Sequence, residues 1–270
     1  MDLSTFNSPL IMGIINLTPD SFFDGGKYAD SQNLIKEKFY QADIIDIGCE
    51  SSRPGADPLS AEHEIQRLDQ YLDFLNTFQQ PLSIDTYKPE VAVYALENGF
   101  EMINDIQGGG NGHMFEVAEE FGCPIVIMHM AGSPKTMQES PLYSDVVDEI
   151  ITYFDKQIAL ATTIGVEESQ IILDPGIGFG KRLEDNFNIL KNIPEFKKLG
   201  FPILIGLSRK SFLSINGDAP DERLAATLTA SAYALQKGAD ILRVHDIADT
   251  SKLITTLQNL TASEIQFSKS

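Results

Sequence analysis

Chemically capable side chains recur at one kind of place in this sequence, the ends of short apolar runs. Asn16, Asp46 with Glu50-Ser-Ser-Arg53, Asp85, Asn104-Asp105, His129, Asp174, Ser208-Arg209-Lys210 and Arg243-Val-His245-Asp246 each lie at or just after such a run. One polar residue after one strand is ordinary loop chemistry. Eight in succession describe a rim of carboxylates, amides, hydroxyls and cations, which is the composition of an active site. Asp174-Pro-Gly-Ile-Gly-Phe-Gly-Lys181 looks at first like a phosphate cradle, yet Pro175 stands where G-x-x-x-x-G-K needs its first glycine and Arg182 follows the lysine in place of Ser or Thr. It also departs from G-x-G-x-x-G, because Lys181 fills the last glycine position. Its glycines instead allow a tight turn and a close backbone approach to a flat ligand, with the Asp174 carboxylate at the strand end. His113, His129 and His245 lack the spacing of a metal-ligand set, and neither H-E-x-x-H, C-x-x-C nor G-x-S-x-G occurs. His129, flanked by Met128 and Met130, reads as a core-edge histidine. A magnesium ion held partly by ligand phosphates is compatible with this set, since Mg²⁺ needs few protein oxygens.

The elements that must position these residues alternate along the whole chain. Eight short, nearly continuous apolar runs read as parallel strands: 10–16, 43–48, 82–85, 102–106, 124–129, 170–174, 202–207 and 240–244. Between and after them, 31–41, 60–78, 89–97, 113–121, 143–164, 185–199, 220–237 and 249–260 carry apolar residues at helical spacing. Ser60 as a cap, Pro89 in a first turn, and Gly99, Gly165, Gly200 and Gly238 past helix ends agree with those limits. Eight β-then-α units predict an α/β protein, a (β/α)8 TIM barrel forming one domain over 1–270 with an arm at 1–9 and a tail at 263–270; an open doubly wound sheet is the other topology. Two connections are longer than the usual βα loop. Leu17–Tyr28, with Asp20, Ser21, Phe22, Phe23, Asp24 and Gly25-Gly26, reads as a lid, and Glu50–Pro58 as a second long loop containing a cation.

Charge excludes some partners. The 270 residues hold 20 Lys plus Arg against 39 Asp plus Glu, a formal net charge of −19, which argues against nucleic-acid binding and against docking on anionic membranes. With 43% hydrophobic and 22% charged residues the chain is composed like a soluble globule with a large core. Two cysteines, Cys49 and Cys123, imply no disulfide framework and fit a reducing cytoplasm. The N-terminal segment lacks a basic region before its apolar run, and 10–17 is too short to span a bilayer.

Taken together, Met12-Gly-Ile-Ile-Asn-Leu-Thr-Pro-Asp-Ser-Phe22, Asp46-Ile-Gly-Cys-Glu-Ser-Ser-Arg-Pro-Gly55, Ser83-Ile-Asp-Thr86, Ile103-Asn-Asp-Ile106, Met128-His-Met130, Leu173 to Lys181, Leu207-Ser-Arg-Lys210 and Arg243-Val-His-Asp246 resemble the dihydropteroate synthase family. The resemblance implies a folate-pathway transferase that joins p-aminobenzoate to 6-hydroxymethyl-7,8-dihydropterin diphosphate, a homodimer and a Mg²⁺ ion, in a family that is the target of sulfonamide mimics of aminobenzoate. It assigns the pterin to Asp85, Asn104, Asp174 and Lys210, and the diphosphate to Asn16, Arg243 and His245, with Asn16 also at the metal. Ser52 and Arg53 belong to the second loop, Phe179 packs on the aminobenzoate ring, and Ser211 at a helix N-terminus receives its carboxylate. The catalytic set so implied is Asp174, Lys210, Arg243 and His245. Placing Lys210 and Arg243 after the seventh and eighth strands agrees with where barrels build phosphate sites.

Four positions depart from the family pattern: Ser52 for a common threonine, Phe23 for a serine, Cys49 for glycine or alanine, and Ile177 for an aromatic. Two other readings share the barrel. A pterin-dependent methyltransferase domain is disfavoured by Thr18-Pro-Asp-Ser-Phe22 and Ser208-Arg-Lys210, and a non-catalytic pterin binder by the intact Asn16, Arg53, Arg243 and His245. Five basic groups, Arg53, Arg209, Lys210, Arg243 and His245, are expected on the rim, with the acid excess on outer helices such as 145–155 and at Glu167-Glu168.

Overall fold

The computed structural model describes residues 9–17, 28–50, 58–132 and 143–262. Its strands are β1 (Leu10–Asn16), β2 (Ile44–Gly48), β3 (Leu82–Asp85), β4 (Met102–Asp105), β5 (Ile125–Met128), β6 (Ile171–Asp174), β7 (Leu204–Gly206) and β8 (Ile241–Val244). The helices are α1 (Tyr28–Phe39), α2 (Ala61–Asp69), α3 (Leu72–Leu75), α4 (Pro89–Glu97), α5 (His113–Phe121), α6 (Val146–Ile164), α7 (Leu183–Lys191), α8 (Ile193–Lys197), α9 (Leu224–Gln236) and α10 (Ile247–Thr261). Every strand pairing is parallel, in the order β6-β5-β4-β3-β2-β1-β8-β7. The Leu173 N–H donates to the Pro202 carbonyl at 2.9 Å, and Leu173 bridges Ile203, which brings β6 against β7 and makes the sheet a barrel rather than an open sheet.

Alternation along each strand divides the core in two. Outward residues such as Ile45, Ile84, Ile103, Ile127 and Leu173 pack under the helices in the larger apolar cluster. Inward residues near the strand starts, including Met12, Ile44, Met102, Val126, Ile172 and Ile241, fill the barrel with a second cluster. At the N-terminal face, carboxylates serve the framework. Asp43 accepts the Ile11 N–H at 2.7 Å, and Asp240 accepts the Ile203 N–H and the Lys197 ammonium, each at 2.7 Å.

The expected elements are present, with shifts that have local causes. The helix expected over 185–199 divides into α7 and α8, because Pro194 at the second position of α8 has no N–H for a continuous ladder. The helix expected over 60–78 likewise divides into α2 and α3; its start is as read, with Ser60 accepting the His63 N–H. The first turn of the helix expected from Pro220 is a 3-10 turn leading into α9. Gly108-Gly-Gly110 is a turn whose three residues all have positive φ, as a glycine run allows. The arm at 1–8, the lid residues 18–27, most of the second loop (51–57) and the tail at 263–270 lie outside the described residues.

Candidate active site

One step up the barrel, the inward side chains change from apolar to polar. Alternation puts Asp46 above Ile44, Asn104 above Met102, Asp174 above Ile172 and Arg243 above Ile241, while Asp85 stands above Ser83. They surround a cavity at the C-terminal rim, lined among others by Asp85, Asn104, Asp174, Lys210, Arg243 and His245. Phe179 and Met128 add an aromatic and a flexible apolar wall. A cleft with an apolar wall and a few convergent polar groups suits a small flat ligand.

Arg243 organises the polar floor. Its Nε donates to Asp46 at 2.6 Å, and its Nη2 donates to Asp85 at 2.5 Å. Burial disfavours the charge, but Asp46 and Asp85 outweigh it and hold the Arg243 pKa above the ordinary arginine value. Asp46 also accepts from the Asn104 amide at 3.0 Å, which leaves the Asn104 oxygen for a ligand. Burial raises the Asp85 pKa well above the usual carboxylate range, with Arg243 opposing. Asp174, 6% exposed, is likewise raised by burial, against Lys210 and the Gly176 N–H that reaches its Oδ1 at 2.7 Å.

Lys210 faces Asp174 across the cavity. Burial lowers its pKa to about 8, against the pull of Asp174. Its ammonium lies 4.5 Å from the centroid of the Phe179 ring and donates to the Ile177 carbonyl. His245 is not one of the rim cations. Burial, then Arg243 and Arg209, lower its pKa to about 4, so the ring is neutral near pH 7. Ser208 Oγ accepts the His245 backbone N–H at 3.2 Å and lies 3.0 Å from Nδ1. A hydroxyl proton directed to Nδ1 places the ring proton on Nε2, where it can be donated to an anion.

The other expected residues divide. Asn16 ends β1 on the exposed rim; a Cβ placed on Gly48 would lie 3.5 Å from both its Oδ1 and Asp85 Oδ2, so the two oxygens flank one small space. Ser211 is exposed and opens a 3-10 turn of three residues rather than a helix, outside the cavity lining. Ser52 and Arg53 lie outside the described residues. Arg209, counted among the rim cations, instead makes a two-pronged pair with Asp246 at 3.0 and 2.5 Å, on a backbone with φ of 60°. The expected basic rim is therefore smaller: Lys210 and Arg243 face the cavity, balanced by buried carboxylates. Asp145, Asp148, Asp155, Glu167 and Glu168 are exposed on the outer surface, as the charge argument requires.

Asp46 is among the strand-end residues expected on the rim, but neither the spacing nor the resemblance gives it a binding or catalytic role. Strand parity finds it, because Ile44, Asp46 and Gly48 form the inward row of β2. Its Oδ1 and the Oγ of Ser83, its register partner on β3, are buried without a hydrogen-bond partner among the described residues. Among those residues, no group of three or more His, Cys, Asp or Glu can hold a metal. A hard cation sharing its shell with a polyphosphate still fits the oxygens of Asn16.

A barrel whose rim combines buried carboxylates, an amide and two cations is a pterin-binding enzyme: the family model of that description matches residues 12–245. The dihydropteroate synthase of Escherichia coli K12 is 40% identical over 271 residues, covering 98% of this chain and 95% of the relative. That of a Synechocystis strain is 44% identical over 245 residues, covering 88% and 85%. The solved Xanthomonas albilineans dihydropteroate synthase with 4-aminobenzoic acid superimposes with a TM-score of 0.87 at 37% identity, over 96% of this chain and 95% of that one. The chain belongs to the dihydropteroate synthase family, transferases of folate biosynthesis.

Replacing Asp46 with leucine removes the Nε partner of a buried guanidinium. Unfolding free energy is expected to fall by about 3–5 kcal/mol, the cost of breaking a buried pair from one side. Urea denaturation checks this, and a loss below about 1 kcal/mol, the range of exposed ion pairs, would remove Asp46 from its place in the floor.

Proposed function

We propose that this chain, as one barrel domain over 1–270, condenses 6-hydroxymethyl-7,8-dihydropterin diphosphate with p-aminobenzoate to give 7,8-dihydropteroate and diphosphate in the cytoplasm. The observation that carries this reading is the polar ring of Asp85, Asn104, Asp174 and Lys210 facing the cavity beside Arg243 and the neutral His245. The first four offer acceptors and donors to the pterin edge. Arg243 and His245 Nε2–H receive the diphosphate. Phe179 supplies an apolar face for the aminobenzoate ring, and Ser211 and the loop residues Ser52 and Arg53 complete that side. Mg²⁺, when bound through Asn16 and the diphosphate, supplies charge neutralisation to the leaving group.

The chemistry is a dissociative displacement. The C–O bond breaks with its electron pair leaving on diphosphate, so positive charge grows on the pterin methylene. Asp174, kept in low dielectric, stabilises that charge more strongly than a solvated carboxylate can. Arg243 and His245 stabilise the opposite charge on the departing oxygen. The aminobenzoate nitrogen then forms the C–N bond and releases one proton. Exclusion of water from the cavity keeps it from capturing the cation.

An assembly surface accompanies this site. Leu183 and Phe187, one turn apart on α7, are 58% and 41% exposed, Ile215 is 62% exposed, and the Phe187 ring meets Phe212 edge-on at 5.5 Å. A homodimer covering this face accounts for the exposed apolar surface.

Incubating the protein with both substrates and Mg²⁺ is expected to yield dihydropteroate and diphosphate in equal amounts; no product at saturating substrate would refute the reading. Lys210→Ala and Asp174→Asn are each expected to lower kcat/KM by about tenfold or more while the circular dichroism stays native, as for a lost transition-state contact. Because the Lys210 pKa is lowered, its ammonium is lost as pH rises through about 8, so kcat/KM should fall on that alkaline limb. The residual activity of Lys210→Ala should lack the limb; its persistence would assign it to another group. Light scattering should give the mass of two chains, and Phe187→Glu should give that of one.

A further inference from the structure

Two residues that the proposed reaction leaves unused, Lys181 and His129, meet behind the cavity wall. Lys181 is only 4% exposed, although a lysine is almost never fully buried without partners that justify it. Its ammonium donates to the Phe179 carbonyl at 3.0 Å and to the His129 carbonyl at 3.2 Å, and it lies 3.1 Å from His129 Nδ1. Burial and then Lys181 lower the His129 pKa to about 3, so the ring is a neutral acceptor, and Tyr153 packs edge-on against it at 5.0 Å. Gly176 makes the approach possible. A Cβ there would sit 1.9 Å from the His129 carbonyl oxygen and 3.2 Å from Lys181 Nζ, on a backbone with φ of 69°.

The segment gripped in this way carries the wall of the site. From inside the cavity Lys210 donates to the Ile177 carbonyl, while from behind Lys181 donates to the Phe179 carbonyl two residues on. Asn186 accepts the Gly178 N–H at 2.6 Å, and Tyr143 donates to the Gly180 carbonyl at 2.8 Å. Burial lowers the Lys181 pKa to about 7, with Asp174 opposing, and a methionine would fill the same space without burying a polar group, so what the amine adds is direction: three fixed acceptors drawn from two loops. We infer that Lys181, oriented by His129, is a positioning residue that sets the Phe179 ring against the second substrate and so governs recognition of the flat aromatic amine. This inference rests on the synthase reading given above and deepens it, since it assigns to the turn after β6 the selection of one substrate and not the other.

The test compares Lys181→Met, His129→Leu and His129→Gln with the wild type. KM for p-aminobenzoate should rise about tenfold or more in the first two, as expected when a displaced group spoils alignment, with kcat less affected. The dissociation constant for the pterin diphosphate, measured by calorimetry, should stay within about twofold, because three of its four polar contacts, Asp85, Asn104 and Lys210, come from outside β6 and its turn. His129→Gln keeps an acceptor for the ammonium and should restore most of the lost affinity; it and His129→Leu retain the buried lysine should Lys181→Met fail to fold. An unchanged KM for p-aminobenzoate in folded variants would overturn the inference, as would equal weakening of both substrates together with a lowered Tm. No product from the wild type would overturn the synthase reading and this inference with it, whereas an active wild type with unaltered variants overturns the inference alone.

Discussion

Inside this barrel a guanidinium from the last strand is shared by carboxylates from the second and third. Arg243 lies 197 residues from Asp46 and 158 from Asp85 in sequence, so the contact exists only once β8 has come round to β1 and the sheet is curved. Each partner makes the others tolerable. Two buried carboxylates repel, and a buried cation alone is strongly disfavoured, yet the three together with the Asn104 amide form a nearly satisfied polar floor. That floor holds Asp85 and Asn104 at the height where a ligand edge meets them. It also fixes Arg243 by one flank, leaving the remaining guanidinium edge for an anion.

Charge looks different at the scale of the molecule and at the scale of the site. A chain of net charge −19 takes two anionic substrates, and the resolution is local rather than global. Exposed acids on α6 and near Glu167 face solvent on the outer surface and are screened over about 8–10 Å at physiological salt. The cavity carries Lys210 and Arg243 against Asp46, Asp85 and Asp174, so its polarity is one of arrangement more than excess. Asp85, Asp174 and Lys210 line the pterin side, and Arg243 and His245 the side of the leaving group. Such a division matches a reaction that separates charge, because each pole finds its opposite already in place and no large reorganisation is required.

The sequence made the barrel readable because its strands are short and apolar on both faces, and because each is followed by a helix with its own caps. Pro89, Ser60 and the glycines past helix ends marked boundaries within a residue or two. The division at Pro194 was written in the chain but was overridden by a continuous apolar pattern on both sides of it. Site residues at strand ends were legible for the same reason as the strands: alternation puts every second residue inside. Asp46 needed that parity to be taken one step further. Arg209 and His245 show what sequence cannot supply, since whether a basic residue is a free cation depends on its neighbours in space. Arg209 is claimed by Asp246 from the next strand's end, and His245 is kept neutral by burial and by Arg243.

A neutral histidine beside a leaving diphosphate is better suited to its task than a charged one. A second full cation next to Arg243 would bind the intact diphosphate tightly in the ground state, which lowers KM without lowering the barrier between bound substrate and transition state. An Nε2–H donor gains strength as negative charge builds on the bridging oxygen, so more of its effect falls on the transition state. Ser208 bears on that donor, because its hydroxyl accepts from the His245 main chain and lies 3.0 Å from Nδ1, and a hydroxyl proton turned to Nδ1 leaves the ring proton on Nε2. The arrangement thus repeats on the anion side what Asp174 does on the cation side: a group held by the backbone beside it, desolvated, and aimed at charge that appears only as the bond breaks.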